Sequence, residues 1–396
     1  MGPLDDTIVL DLSRVLAGPF STQMLADLGA TVWKIESPWG DDTRRWGPPF
    51  LESESAYYLS ANRGKKSVVV NLRDERGQVL IRKMAQRADI LVENFKVGDL
   101  ARYGLDYQSL ARLNPRLVYA SITGFGQTGP RASEPGYDAA LQGMTGIMSV
   151  TGEPDGPPSK VGGPWIDILT GLTATVGILS ALNERHGSGK GQHVDVSLFD
   201  VGISAMANLA QSFLATGEAP GRIGTAHPQV APYQAFEATD GHFMIAVGND
   251  DQFRRLCDAV GLPQLPADER FKDNAARVRN REDLAGMLAD VFRGENRDHW
   301  LDVVSGAGVT VTPVNTLAEV FEDPQAKARQ SLWEVDHPTI GKVPLLASAL
   351  QHMSRTPAAP GGHPPLLGEH TREVLRDALG VPEDEISELV EAGVVK

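Results

Sequence analysis

The sequence predicts an α/β fold: a large domain built on a parallel, doubly wound sheet, followed by a smaller α+β domain. Three observations predict it. Short β-branched runs alternate with helical patterns through the first half of the chain, the arrangement that builds a parallel sheet covered on both faces. At Ala219-Pro220-Gly221 the pattern changes to a hairpin and then to short charged helices. The final stretch opens as Pro-rich irregular chain, with Pro357, Pro360, Pro364 and Pro365, and closes on two helical patterns at residues 371–379 and 383–392. The boundaries that follow are 1–220, 221–325 and 326–396.

Taken in order, residues 7–13 read as a buried strand, 19–28 as the helix after it, and 30–36 as a second strand. Residues 67–72, 90–92 and 117–123 are further short strands, with a helix over 75–87. Residues 168–185, rich in Ala, Leu and Gly, form a long amphipathic helix that stops at the glycine cluster 186–191 and leads into a strand at 193–198. Beyond the boundary, residues 235–246 form a hairpin whose turn is Asp240-Gly241.

Composition narrows the function. The chain has 396 residues, with 37 Lys+Arg against 51 Asp+Glu and a formal charge of −14, so phosphate backbones are repelled and nucleic-acid binding is disfavoured. Cys257 is the single cysteine, which excludes an internal disulfide and a CxxC metal site. No run reaches 18 uninterrupted apolar residues and no export segment opens the sequence, so the expectation is a cytoplasmic protein without a membrane partner. Gly124-Phe125-Gly126-Gln127-Thr128-Gly129 matches the dinucleotide fingerprint, but Pro130, Pro135 and Gly136 keep a helix from opening there. Asn62-Arg63-Gly64-Lys65-Lys66-Ser67 ends like a phosphate loop and lacks its first glycine. Neither HExxH nor Gly-x-Ser-x-Gly is present. No metal, nicotinamide or flavin cofactor is expected.

The most informative segment is Gly162-Gly163-Pro164-Trp165-Ile166-Asp167, which sets one carboxylate between apolar neighbours at a helix start. Two readings stand. Asp167 is a helix N-cap, for which Asp is favoured; or it is a nucleophile that attacks an activated acyl group, kept ionised by the helix N-terminus. Cations cluster at Arg44-Arg45, at residues 63–66 and at Arg102. Singly they read as solvated surface; together, on loops at the carboxyl ends of strands, they point to a polyphosphate ligand.

On these residues the sequence resembles the family III CoA-transferases, the group that includes formyl-CoA transferase and the carnitine CoA-transferases. The likeness covers nearly the whole chain. Its carriers are Val9-Leu10-Asp11-Leu12 with Ala17-Gly18-Pro19, residues 29–36 and 62–67, Val92-Glu93-Asn94-Phe95, residues 124–130, and Asp167 with Thr170-Gly171. The resemblance implies a Rossmann-like large domain completed by the C-terminal tail, and an interlaced, ring-like homodimer. It implies that Asp167 takes the acyl group of an acyl-CoA donor as an anhydride and then carries CoA as a thioester, before an organic acid acceptor reverses the steps. By position, Leu16, Ala17, Asn94, Phe95 and Arg102 match CoA-contacting residues, as do Leu72 and Arg73 more loosely. Ser37 stands where formyl-CoA transferase has an arginine, so Arg44 or Lys66 is expected to take over that phosphate contact.

Acyl-CoA racemases share the fold and use a Gly-His-Asp motif, where this chain has Gly136-Tyr137-Asp138. Tyr137 and Asp138 instead parallel the Tyr-carboxylate pair of the transferases; Asp138 reads either as a second active-site carboxylate or as a solvated loop acid. Downstream motifs, among them Gly224-Thr225-Ala226-His227 and Gly248-Asn249-Asp250-Asp251-Gln252, look most like succinate/glutarate-type dicarboxylate CoA-transferases. Gly248 and Asn249 are therefore placed at the substrate, with His227, Arg45 and Gln252 as candidate donors to a second carboxylate. The alternatives are a racemase of this fold and a non-catalytic CoA-binding protein.

Overall fold

The computed structural model describes residues 2–396. It divides into two compact units, 1–147 with 161–211 and 327–396, and 148–160 with 212–326. The division differs from the expected boundaries in one excursion, at 148–160, and in its edges, the second unit resuming at 212 rather than 221 and ending at 326 rather than 325. Residues 148–160 belong to the second unit because Arg222 donates to the carbonyls of Glu153, Pro154 and Gly156, the last at 2.7 Å.

The large unit is built on six strands: β1 Ile8–Asp11, β2 Thr31–Glu36, β3 Lys65–Val69, β4 Ile90–Glu93, β5 Val118–Thr123 and β6 His193–Ser197. All pair in parallel, in the order β3-β2-β1-β4-β5-β6. The order reverses between β1 and β4, and in open sheets of this kind ligands bind outside the carboxyl ends of the strands at that reversal. The central strands β1 and β4 are nearly continuous apolar runs because both faces are covered. One face packs on α1 Ala17–Asp27 and, through Ile166, Ala174, Ile178 and Ala181, on the long helix at residues 165–188. The other packs on α2 Glu75–Ala85, on α3 Tyr107–Leu113, and on Val374, Leu375, Ile386 and Leu389 of the tail. The tail is tied down by backbone pairing: Asn71 N–H donates to the Val394 carbonyl at 2.8 Å, and Val70 bridges Val395.

Two elements differ from expectation. β3 starts at Lys65 rather than 67, because both flanking lysines spend their charge on partners: Lys65 is fully buried against Asp11 and Lys66 reaches Glu373. Beyond β5 the helices that bear on the site are α4 Asp138–Met144, α5 Trp165–Ser188 and α6 Leu198–Ala205. α5 runs about a turn further at each end than predicted: it continues through His186 and Gly187 to Ser188, where Gly189 ends it in a left-handed conformation, and its earlier start puts Asp167 inside the first turn. It is also long and apolar enough to cross a membrane, but the apolar residues just named form core against the sheet.

The second unit carries a three-stranded antiparallel sheet: β7 Tyr233–Glu237, β8 His242–Ala246 and β9 Thr310–Pro313, with β8 central. Its core gathers Phe236, Phe243, Phe253, Phe292 and Trp300.

Candidate active site

The loops at the carboxyl ends of β1, β4 and β5 enclose a cavity of about 410 Å³, lined by Val15, Leu16, Ala17, Asn94, Phe95, Tyr137, Asp138 and Asp167 among others. A second cavity of about 700 Å³ adjoins it, sharing Arg14, Asp42, Phe95 and Asp99, and adds Arg45, Leu72, Arg73 and Arg102 from loops after β2, β3 and β4. Both lie wholly in the large unit.

The wall at β1 is a strained loop. Val15 has φ +70°, a conformation that a β-branched residue adopts only when its surroundings impose it. Asn94 imposes it: its Oδ1 accepts the Arg14 N–H at 2.9 Å and its Nδ2 donates to the Arg14 carbonyl at 2.7 Å. Beneath the loop lies a buried ionic layer. Lys34 donates to Asp41 at 2.9 Å; burial opposes ionisation of Asp41, yet the Lys34 ammonium and the Thr43 N–H hold its carboxyl at about 2.

Asp167 sits third in α5, where Pro164 at the cap position offers no side-chain acceptor. The reading of Asp167 as its own helix cap is therefore corrected: Asp138 supplies the cap. Its Oδ1 accepts the N–H of Ile166 at 2.8 Å and of Asp167 at 3.2 Å. That leaves the Asp167 carboxylate half-buried on the cavity wall. Burial, and then the Asp138 charge, push its pKa up to about 7, against the expectation that the helix N-terminus keeps it low.

The glycine motif at 124–129 serves this placement. A Cβ on Gly124 would stand 2.6 Å from the Gly136 Cα, so the two chains cross in contact immediately before Tyr137 and Asp138. Tyr137 lines the cavity with its ring 70% exposed. Tyr57, which sequence reasoning missed, lies near both acids: burial, then the Asp167 and Asp138 charges, raise its phenol to about 12. The only signal for it was Ser55, whose hydroxyl caps the turn by accepting the Tyr57 N–H at 3.2 Å.

Three cationic expectations are corrected. Arg44 lines neither cavity; its guanidinium is spent on Glu36 at 2.8 and 2.7 Å and lies 3.8 Å over the Tyr58 ring. Lys66 also lines neither, pairing with Glu373 at 2.6 Å. Arg63 is buried on Asp27, so the 62–67 motif is internal scaffolding rather than a phosphate loop. The cations lining the larger cavity are Arg14, Lys34, Arg45, Arg73 and Arg102, of which Lys34 is held by Asp41, Arg14 and Arg45 by Asp42, and Arg102 by Asp99.

His227, Gly248, Asn249 and Gln252 belong to the second unit. His227 stacks on Tyr233 at 5.2 Å. Gln252 accepts the Gly248 N–H at 2.7 Å, and Asn249 caps the helix Asp250–Ala259.

Sheet order, cavity position and the carboxylate on the wall define an α/β protein with an acid-bearing cavity over the ends of its central strands. The chain belongs to CoA-transferase family III, whose family model matches residues 4–371, and it is a CoA-transferase. It is 41% identical to the mouse (Mus musculus) succinyl-CoA:glutarate CoA-transferase, over 100% of this chain and 91% of that one. It is 44% identical to the acetyl-CoA:oxalate CoA-transferase of Acetobacter aceti, over 91% and 92%. Among solved structures, a CAIB/BAIF family protein from Brucella suis superposes with a TM-score of 0.85 at 46% identity, covering 96% of this chain and 99% of that one.

Proposed function

We propose that this CoA-transferase moves CoA from an acyl-CoA donor to a dicarboxylic acid through covalent steps on Asp167. The observation that carries the reading is the Asp167 carboxylate itself, facing the cavity while a different residue caps its helix. An Asp167 oxygen attacks the thioester carbonyl, the C–S bond breaks, and CoA leaves as thiolate, giving an aspartyl anhydride. The thiolate attacks the aspartyl carbonyl and expels the donor acid, which leaves CoA on Asp167 as a thioester. The acceptor carboxylate attacks that thioester to give a new anhydride. Thiolate attack on the acceptor's carbonyl then yields the new acyl-CoA and restores Asp167. Every step is acyl transfer, balanced without an oxidant or reductant.

A dicarboxylate acceptor is supported by the two relatives, which act on glutarate and on oxalate with different donors. The CoA phosphates are assigned to Arg73 and Arg102 on the larger cavity. A homodimer is part of the reading, supported by the exposed apolar side chains of Leu172, Val176 and Ile203 on α5 and α6, which a second copy would cover.

The test is intact-mass spectrometry after brief incubation with succinyl-CoA, followed by peptide mapping. A CoA-sized adduct on the Asp167 peptide, released by hydroxylamine and missing from D167N, is expected. Turnover without any adduct on that peptide would remove Asp167 from the mechanism.

A further inference from the structure

We propose that Gln142 is a positioning residue for CoA transfer: it holds the Asp138 carboxylate in the orientation that caps α5, and so fixes where the Asp167 carboxylate meets the thioester. The proposal rests on the reading of Asp167 as nucleophile and adds to it a residue that touches no substrate.

Gln142 is on α4 and fully buried. A buried amide has to satisfy its donors and acceptor inside the protein. Its Oε1 accepts the Val161 N–H at 2.9 Å, and its Nε2 donates to Asp138 Oδ2 at 2.7 Å and toward the Gly163 carbonyl at 3.4 Å. A backbone N–H can only donate and an ionised carboxylate only accept, so the chemistry of the partners sets which end of the amide faces which. One side chain thus joins three points: the start of α4, residue 161, and residue 163 just before α5.

The consequence follows from the division of labour on Asp138. Its Oδ1 takes the two helix N–H groups while its Oδ2 takes Gln142. Without the donor on Oδ2, rotation of the carboxylate trades one cap bond for another, and the first turn of α5 shifts with it. Pro164 offers no substitute cap. Asp167 is in that first turn, and a displacement of about 1 Å at a reacting group costs on the order of 100-fold in rate.

The experiment compares Q142E and Q142M in the full chain. Q142E keeps the shape and the acceptor for Val161, but its carboxyl donates to Asp138 only while it holds a proton; Q142M never donates. The titratable group in contact with this position is Asp138, whose charge in turn acts on Asp167 and Tyr57; Arg14, Asp42, Lys96, Asp99 and Glu134 line the cavity that Asp138 and Asp167 share. At pH 8 both variants are expected to lose about 10- to 100-fold in kcat, with KM for the acyl-CoA within about threefold. As pH falls, Q142E recovers relative to the native enzyme and Q142M does not. A structural role alone would give equal losses in both variants at every pH, tracking the folded fraction measured by circular dichroism. That outcome, or native kcat in both, overturns the proposal. Adduct formation separates it from the reading beneath. If the native chain forms no CoA adduct on the Asp167 peptide, both fall together; if it does and the variants form the adduct at the native rate, only the assignment of Gln142 falls.

Discussion

The carboxylate of Asp138 accepts the backbone N–H of Asp167 at 3.2 Å and that of Ile166 at 2.8 Å, so one acidic side chain caps the helix that carries the other. The arrangement has opposed effects. The cap holds Asp167 in place, while the Asp138 charge, second only to burial, makes Asp167 harder to ionise.

Removing Asp138 therefore separates two quantities. In D138A the lost cap is expected to destabilise the large unit by about 1 kcal/mol, and the plateau rate falls with the disordered first turn. The lost charge lowers the Asp167 pKa from about 7, so the acidic limb of the kcat profile moves to lower pH. A pH–rate profile and a thermal melt check both; an acidic limb that stays in place means the Asp138 charge does not reach Asp167.

D167N is expected to abolish turnover and to stabilise the fold above neutrality. The ordinary carboxyl value is 3.8 and the folded value about 7, so between those pH values the unfolded chain has released a proton that the folded chain still holds. Raising pH through that window costs the native protein stability, a cost the amide does not incur. The gain at pH 8 is about 1–2 kcal/mol once partial solvent access is allowed for, and it vanishes below about pH 4. Denaturant unfolding of both proteins at pH 4 and pH 8 measures it. Equal stability at pH 8 would mean that Asp167 ionises without cost.

The alternation of strand and helix was legible because strands buried on both faces are written as apolar runs, as in Val9-Leu10 and Leu91-Val92. Asp167, Asn94 and Phe95 were legible as motif members. The roles of the cations were not, because sequence gives their positions and not their partners: Arg44 and Lys66 look like loop cations until Glu36 and Glu373 are seen to hold them. Nor was the cap, since Asp138 lies 29 residues from Asp167 and no local spacing joins them. Tyr57 was hidden for the same reason, its relation to Asp167 being made only by the fold.

Asn94 holds the strained loop through two hydrogen bonds to Arg14. In N94A both are lost, at about 0.5–1.5 kcal/mol each, and only the long bond from the Val15 N–H to Asp41, at 3.3 Å, is left to hold the positive φ. The wall formed by Val15 and Leu16 then loosens, and KM for the acyl-CoA is expected to rise about tenfold while Asp167 keeps its pH dependence. Steady-state kinetics across pH check it; a fall in kcat at constant KM would mean that the loop serves the chemical step instead.

Arg44 and Arg73 are expected to respond in opposite ways. R44A leaves Glu36 buried without its cation, a loss of about 3–5 kcal/mol, yet KM for acyl-CoA in the protein that remains folded stays near the native value. Arg73 is exposed on the larger cavity, and no ion pair to it occurs among the described residues. R73A should leave the melting curve within about 0.5 kcal/mol of native. Its KM should rise several-fold at low ionic strength, with the difference shrinking as salt screens the phosphate contact. Melting curves and KM at two salt concentrations decide the matter. A raised, salt-sensitive KM in R44A with unchanged stability would return Arg44 to the phosphate site from which its pairing with Glu36 removes it.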